Sequence, residues 1–336
     1  MTFDSETVVT GIGLVDPQLA AWRDGVVIAW AGAQPACARR DGASWTTSVL
    51  RSEPSAAIRL ASGGDGRVWG VWDAGGSAMH DMTDHPEGVR LEAGVLDPPH
   101  ELRGEPVADQ LWDHGHGRSF AIAVGPDHEP QVAWIVRDRV YHARRAGGTW
   151  TVEEGPLGER DTIALAVDRA GRPHVLYQRD LVLRHAVADG GKWSESVVGA
   201  RYETKHVSIA VDPDGNPHLA FMGSSKSKDH LVYATRTGDG FVKETVDKKG
   251  NAGFGASLAL DAAGVPTIAY RVEHSRDGAS SRPVAPVEHR FARRSGGKWT
   301  VEPVAIGGAA NSFTLAGDVP WIAYASPGGG LSIATC

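Results

Sequence analysis

One phrase recurs seven times along this chain: a short apolar run, a tight polar turn, and a second apolar run ending in an aromatic residue. The clearest copy is SIAVDPDGNPHLAF, from Ser208 to Phe221. Beside it stand ALAVDRAGRPHVLY (Ala164 to Tyr177), AIAVGPDHEPQVAW (Ala121 to Trp134) and SLALDAAGVPTIAY (Ser257 to Tyr270). Three looser copies end at Trp30, Trp72 and Tyr324. Such self-similarity constrains the architecture more than any local propensity, because each copy must bury its apolar face against a neighbouring copy.

Each unit continues past its aromatic with a third run and, except in the last, a fourth. After Phe221 come LVYATR, a glycine turn and FVKETV (Phe241 to Val246); after Tyr270 come HRFARR, SGGK and WTVEPV (Trp299 to Val304). Runs of this length, rich in β-branched and aromatic residues and separated by Gly, Asp and Pro, predict antiparallel strands. Four strands in roughly 40 to 50 residues are the mark of a propeller blade. The aromatics closing the second strands are 42, 62, 43, 44, 49 and 54 residues apart. The expected fold is therefore all-β, a seven-bladed β-propeller with four antiparallel strands per blade. Its blades run over about 18–50, 55–94, 119–154, 162–198, 206–246, 255–304 and 311–336 plus 5–11, in a single domain. The last unit has only three strands before Cys336, and SETVVTG from Ser5 reads as its missing fourth. That strand would close the ring and remove an exposed sheet edge. A monomer is expected.

Composition narrows the partners. With 41% hydrophobic and 22% charged residues, a chain of 336 can bury a core. The net charge of −7 excludes a general nucleic-acid surface. The longest apolar stretch near the start, Val26 to Ala33, falls far short of the ~20 residues of a membrane span. The first residues lack the basic and apolar regions of a signal peptide, so the expected location is cytoplasmic. Cys37 and Cys336 fall in different units and predict no structural disulfide.

The turn between the third and fourth strands carries a further pattern, Ala-x3-Gly-x2-Trp: Ala38, Gly42, Trp45; Ala143, Gly147, Trp150; Ala186, Gly190, Trp193; Ala292, Gly296, Trp299. A fifth copy has Ala234, Gly238 and Phe241. This resembles the Asp-box turn of bacterial neuraminidase-type BNR-repeat propellers, with the defining Asp replaced by Arg40, Arg145, Ala188, Arg236 and Arg294. The resemblance implies the propeller fold and carries no catalytic residue across.

Insertions indicate where function should sit. In such a propeller the two-to-three and four-to-one loops share one face, the top, and the one-to-two and three-to-four turns the other. The bottom turns are nearly uniform. The expected insertions are Val95 to Arg118 as a four-to-one loop, and Ser224 to Asp229 and Arg271 to Val287 as two-to-three loops. Variable loops on a rigid scaffold are where binding residues concentrate. The top is cationic: Arg137, Arg179 and Arg271 leave the second strands, Lys226 and Lys228 lie in one insertion, and Arg118, Arg160, Arg201 and Lys205 enter inner strands. A positive region on an acidic protein focuses an anionic ligand. The competing reading pairs these cations with Glu159, Asp161, Glu203 and Asp229.

The fourteen histidines divide by their place in the repeat. His142, His185, His174 and His218 hold core positions and are read as structural. His206 begins an inner strand, and Asp113-His114-Gly115-His116 enters another at the same level. His-x-His in extended backbone puts both rings on one side, so His114 and His116 are candidate ligands for a divalent metal. His274 in the blade-six insertion is a further ligand candidate. Two functions follow. The first is binding of an anionic small molecule, glycan or peptide in one composite top pocket, with Trp112, Tyr202 and Phe254 as aromatic platforms. The second is a lyase or hydrolase with His116 or His206 as general base and Tyr202 as acid. In general design this is similar to seven-bladed polysaccharide lyases, at the level of fold. No nucleophile elbow or phosphate-binding loop is present.

Overall fold

The computed structural model describes residues 1–12, 16–23, 25–55, 57–74, 89–96, 103–111, 120–159, 162–201, 206–225, 228–238, 240–273 and 287–336. These residues form seven four-stranded sheets, and no helix occurs among them. The protein is a seven-bladed β-propeller. Six sheets pair four consecutive strands. The seventh combines Asn311–Ala316, Val319–Ala325 and Gly330–Thr335 with the N-terminal strand Asp4–Thr10, in which Glu6 pairs with Ile333. The strand predicted from SETVVTG thus completes the last blade.

The repeated phrase is an inner hairpin held by its own turn. In blade five, Val207–Val211 pairs with the second strand Pro217–Ser225, from Val207↔Phe221 to Val211↔Pro217. Between them Asp212 Oδ1 accepts the backbone N–H groups of Asp214 at 3.0 Å and Asn216 at 2.8 Å. Gly215 sits at φ +84°, a left-handed conformation that favours glycine. Asp168 and Asp261 repeat this pattern in blades four and six.

The aromatics ending the second strands are all buried. A buried Trp or Tyr carries a polar atom that burial would penalise without a partner, and three of these find a carboxylate. Trp72 Nε1 donates to Glu92 at 3.2 Å, Tyr177 Oη to Glu195 at 2.6 Å, and Tyr270 Oη to Asp247 at 2.6 Å. The four core histidines are buried or nearly so and joined to polar partners: His142 to Glu153 and Gln131, His174 to His185, His218 to Tyr233.

At the glycine turns, two of the arginines replacing the Asp-box Asp grip the preceding blade. Arg145 donates to both carboxylate oxygens of Glu105, at 2.9 and 3.0 Å. Arg294 does the same to Glu244, at 3.3 and 2.8 Å. Each glutamate lies on the outer strand of the blade before.

Two expectations about the insertions are corrected. Val95 to Arg118 is not one loop: Glu105–Leu111 is the outer strand of blade two, pairing with Val89–Leu96. Ser224 to Asp229 is not a loop either. It lengthens a hairpin, since Ser224 pairs with Asp229 and Ser225 with Lys228. Adding ladder hydrogen bonds satisfies backbone groups that a loop would leave to water.

Two compact units partition the chain. Ala20–Asp180 with Arg184–Ser196 holds blades one to three and most of blade four. Met1–Leu19, Leu181–Leu183 and Val197–Cys336 hold blades five to seven. The first buries Trp69, Leu91, Phe120, Val132 and Trp134 in one cluster; the second packs Leu231, Tyr233, Ile268, Tyr270 and Val272.

Candidate functional site on blades five to seven

Of the residues singled out from the sequence, His206, Arg137, Arg179, Arg201, Lys228, Phe254 and Arg271 are described, and Phe254 is buried rather than an exposed platform. Trp112, His114, His116, Arg118, Arg160, Tyr202, Lys205 and His274 lie outside the described residues. Among the described residues, no group of three or more His, Cys, Asp or Glu is disposed to hold a metal ion.

Arg271 and His206 belong to the second unit, and the chain between them explains how they are placed. The second strand of blade six, Pro266–Glu273, is buried at every position. Residues two apart on a strand share a face, so Arg271 and Glu273 enter the interior together. Arg271 Nη2 lies 3.5 Å from Glu273 Oε1, and Nη1 donates to Asn311 Oδ1 at 3.2 Å. Asn311 opens the inner strand of blade seven, and its Nδ2 donates to the Gly255 carbonyl at 3.0 Å. Gly255 adopts φ +59°, and an added Cβ would collide with Asn311 Oδ1 and crowd Arg271 Nη1. Glycine is what lets the amide and guanidinium meet.

On either side of Arg271 in the ladder stand Phe254, in the inner strand, and His289, in the third. Phe254 is buried and receives the half-buried His206 ring edge-on, with centroids 5.6 Å apart. His289 is 1% exposed. Its Nε2 donates to the Gly308 carbonyl at 3.2 Å, which leaves Nδ1 as acceptor, with no donor among the described residues. Burial, then the charge of Arg271, pushes this imidazole down to about 4, so it is neutral at pH 7. Arg271, Asn311 and His289 thus form a polar cluster at the end of blades five to seven where inner strands begin, with Phe254 between Arg271 and His206.

Arg271 is thus not the solvent-facing cation the sequence suggested. Residues one place after the aromatic compare instructively. Asp73 accepts Ser55 Oγ at 2.7 Å and the Ala57 N–H at 2.8 Å; Gln178 accepts Thr162 Oγ1 at 3.4 Å. Both pin the segment that enters their own blade. Arg271 instead reaches the next blade and brings a permanent charge.

Arg137 and Arg179 belong to the first unit. Arg137 and Asp138 occupy a two-residue hairpin tip at φ +50° and +59°, which normally favours Gly or Asn. The Arg137 side chain is exposed and meets no carboxylate among the described residues. Arg179 lies 3.4 Å from Glu195, and Glu159 accepts the Asp180 N–H of the adjacent hairpin. Asn311, Glu273 and His289 went unnoticed in the sequence. The first falls in a loose copy of the repeat, and the other two sit where the copies are not alike.

No family model matches the chain, and no curated protein matches it in sequence. Solved structures do. A Dyadobacter fermentans protein of unknown function has 13% identity and a TM-score of 0.51, over 84% of this chain and 93% of that one. The polysaccharide lyase Uly1 has 11% identity and a TM-score of 0.54, over 97% and 90%. YCF48 bound to D1 peptide has 13% identity and a TM-score of 0.58, over 100% and 95%. At these identities the likeness is one of fold.

Proposed function

We propose that the protein binds an anionic glycan, peptide or small molecule at the end of blades five to seven, with His206 as the ligand-facing group and Arg271 and Asn311 behind it. The observation that carries this reading is the buried guanidinium of Arg271, braced by Asn311 in the adjacent blade and opposite Phe254, on whose ring His206 packs. A buried ion pair adds little net stability over apolar residues of similar volume, so stability alone does not account for a cation here. Propellers of this fold include one bound to a peptide and one that is a polysaccharide lyase, which makes both ligand classes reasonable.

Calorimetric titration of acidic oligosaccharides and acidic peptides into the wild type and His206→Gln tests the reading. His206 is half-buried, so the variant should keep the fold. A loss of at least tenfold in affinity is expected, and wild-type affinity in this variant would refute the proposal. Arg271→Gln adds a second comparison, with its melting temperature monitored because it strands Glu273.

The second reading is a lyase or hydrolase with His206 as general base. It is favoured by a half-exposed imidazole resting against an apolar ring, where it can be held in a fixed orientation. The same titrations, followed for product, separate turnover from binding. We also read the glycine turns as degenerate Asp-box turns in which Arg145 and Arg294 have taken over the anchoring role.

A further inference from the structure

We propose that the loop Lys248-Lys249-Gly250, together with Lys228, is a docking edge for an acidic polysaccharide chain. The proposal rests on the anionic-ligand reading above and extends it to the ligand's class and length.

The loop joins the outer strand of blade five to the inner strand of blade six. Its backbone is clamped from beneath. Asp247, 6% exposed, accepts hydrogen bonds from Tyr270 Oη at 2.6 Å, from the Lys249 N–H at 2.9 Å and from Arg290 Nη1 at 2.7 Å. Arg290 Nη1 also donates to the Lys249 carbonyl at 3.1 Å, while Nε and Nη2 grip Glu288 at 2.8 and 2.7 Å. Burial would raise the Asp247 carboxyl, but these hydrogen bonds and the Arg290 charge hold it below the usual carboxylate range. Asp247 is therefore charged and occupied.

All of these bonds involve the loop's backbone or residues beneath it. The ammonium groups of Lys248 and Lys249 are exposed and meet no carboxylate among the described residues. Lys228 is exposed and likewise unpaired among them. The ladder pairs Leu231 with Asp247, so Lys228, itself paired with Ser225, lies beyond the end of the outer strand, about 10 Å along its own strand from that pair. Lys228 and His230 share one face of the strand, and Asp229 points to the other.

A loop held this firmly for side chains that do nothing for the fold is preorganised for a partner, and preorganisation lowers the entropic cost of binding. On a chain of net charge −7, an edge of unpaired lysines attracts a polyanion. Lysine is depleted in protein–protein interfaces, which favour aromatic residues, Met and Arg. Point charges on flexible stems fit instead the carboxylates or sulfates repeated along an acidic glycan.

Polygalacturonate, dextran sulfate, uncharged dextran and a poly-glutamate peptide serve as probes, titrated at low and at physiological salt. The wild type should bind the two acidic polysaccharides more tightly than the peptide, leave dextran unbound, and weaken as salt rises. Lys248→Gln/Lys249→Gln should weaken binding of both chains about three- to thirtyfold, and the Lys→Arg double variant should restore it. Both double variants keep every backbone contact of the loop. A short acidic disaccharide bound at the His206 end should be unaffected by the Gln variant. Unchanged chain binding in that variant, preference for poly-glutamate, or no binding of either acidic polysaccharide would overturn the proposal. If short ligands still bind and respond to His206→Gln, the preceding reading survives that failure. If neither kind binds, both fall.

Discussion

Lowering the pH should weaken blade six through a single buried imidazole. His289 is neutral in the folded protein because burial and Arg271 hold it at about 4, against 6.5 in the unfolded chain. Below 6.5 the unfolded chain takes up a proton that the folded one refuses, so stability falls as pH drops and levels off below the folded value. The linkage relation gives a loss of about 2 kcal/mol by pH 5 and about 3 kcal/mol by pH 4, relative to neutral pH. Carboxylates elsewhere titrate over the lower part of this range and would obscure the effect in the wild type alone. His289→Gln removes the titrating ring and keeps a donor for the Gly308 carbonyl. Urea unfolding of both proteins at pH 7, 5 and 4 cancels the shared carboxylates in the difference. The wild type's advantage over the variant should shrink by about 3 kcal/mol between pH 7 and pH 4. Parallel curves, with a difference constant to about 0.5 kcal/mol, would refute the assignment of His289 as a buried neutral base beside Arg271.

Gly255→Ala should cost about 2–4 kcal/mol, combining strain at positive φ with overpacking against Asn311 and Arg271. A calorimetric melting temperature within a degree of wild type would show that the contact is looser than described. Cys37 is fully buried, and burial pushes its thiol up to about 12 despite the nearby Arg39. Iodoacetamide at pH 8 should therefore label the exposed Cys336 alone in the native protein. Mass spectrometry showing rapid labelling of Cys37 would contradict its burial.

The blades were legible because their signals are local. Asp212 and Gly215 make a turn whichever strands flank it, and an aromatic two residues after Leu219 falls on that residue's side of the strand. Where a blade lacked those signals, the reading failed. Glu105–Leu111 carries a proline in its second position and follows no Gly-Gly-x-Trp turn, so it looked like a loop until pairing with Val89–Leu96 made it a strand. The lengthened hairpin at Ser224 and Asp229 was missed for a similar reason: polar residues with little strand propensity extend a ladder once their neighbours are paired.

The candidate site was legible only as a neighbourhood. Placing Arg271 and His206 near the starts of inner strands needed nothing but the repeat. The burial of Arg271, the amide of Asn311 forty residues away, and the neutrality of His289 depend on contacts between blades. The same holds for the lysine loop, whose side chains are plain in the sequence while the Tyr270–Asp247–Arg290 clamp beneath it is not. Repetition alone determined seven blades and a shared strand at the ends, because each unit's apolar pattern requires a neighbour of its own kind. Only tertiary structure decided which cations are spent inside and which face water, because charge and burial are settled by residues far apart in the chain.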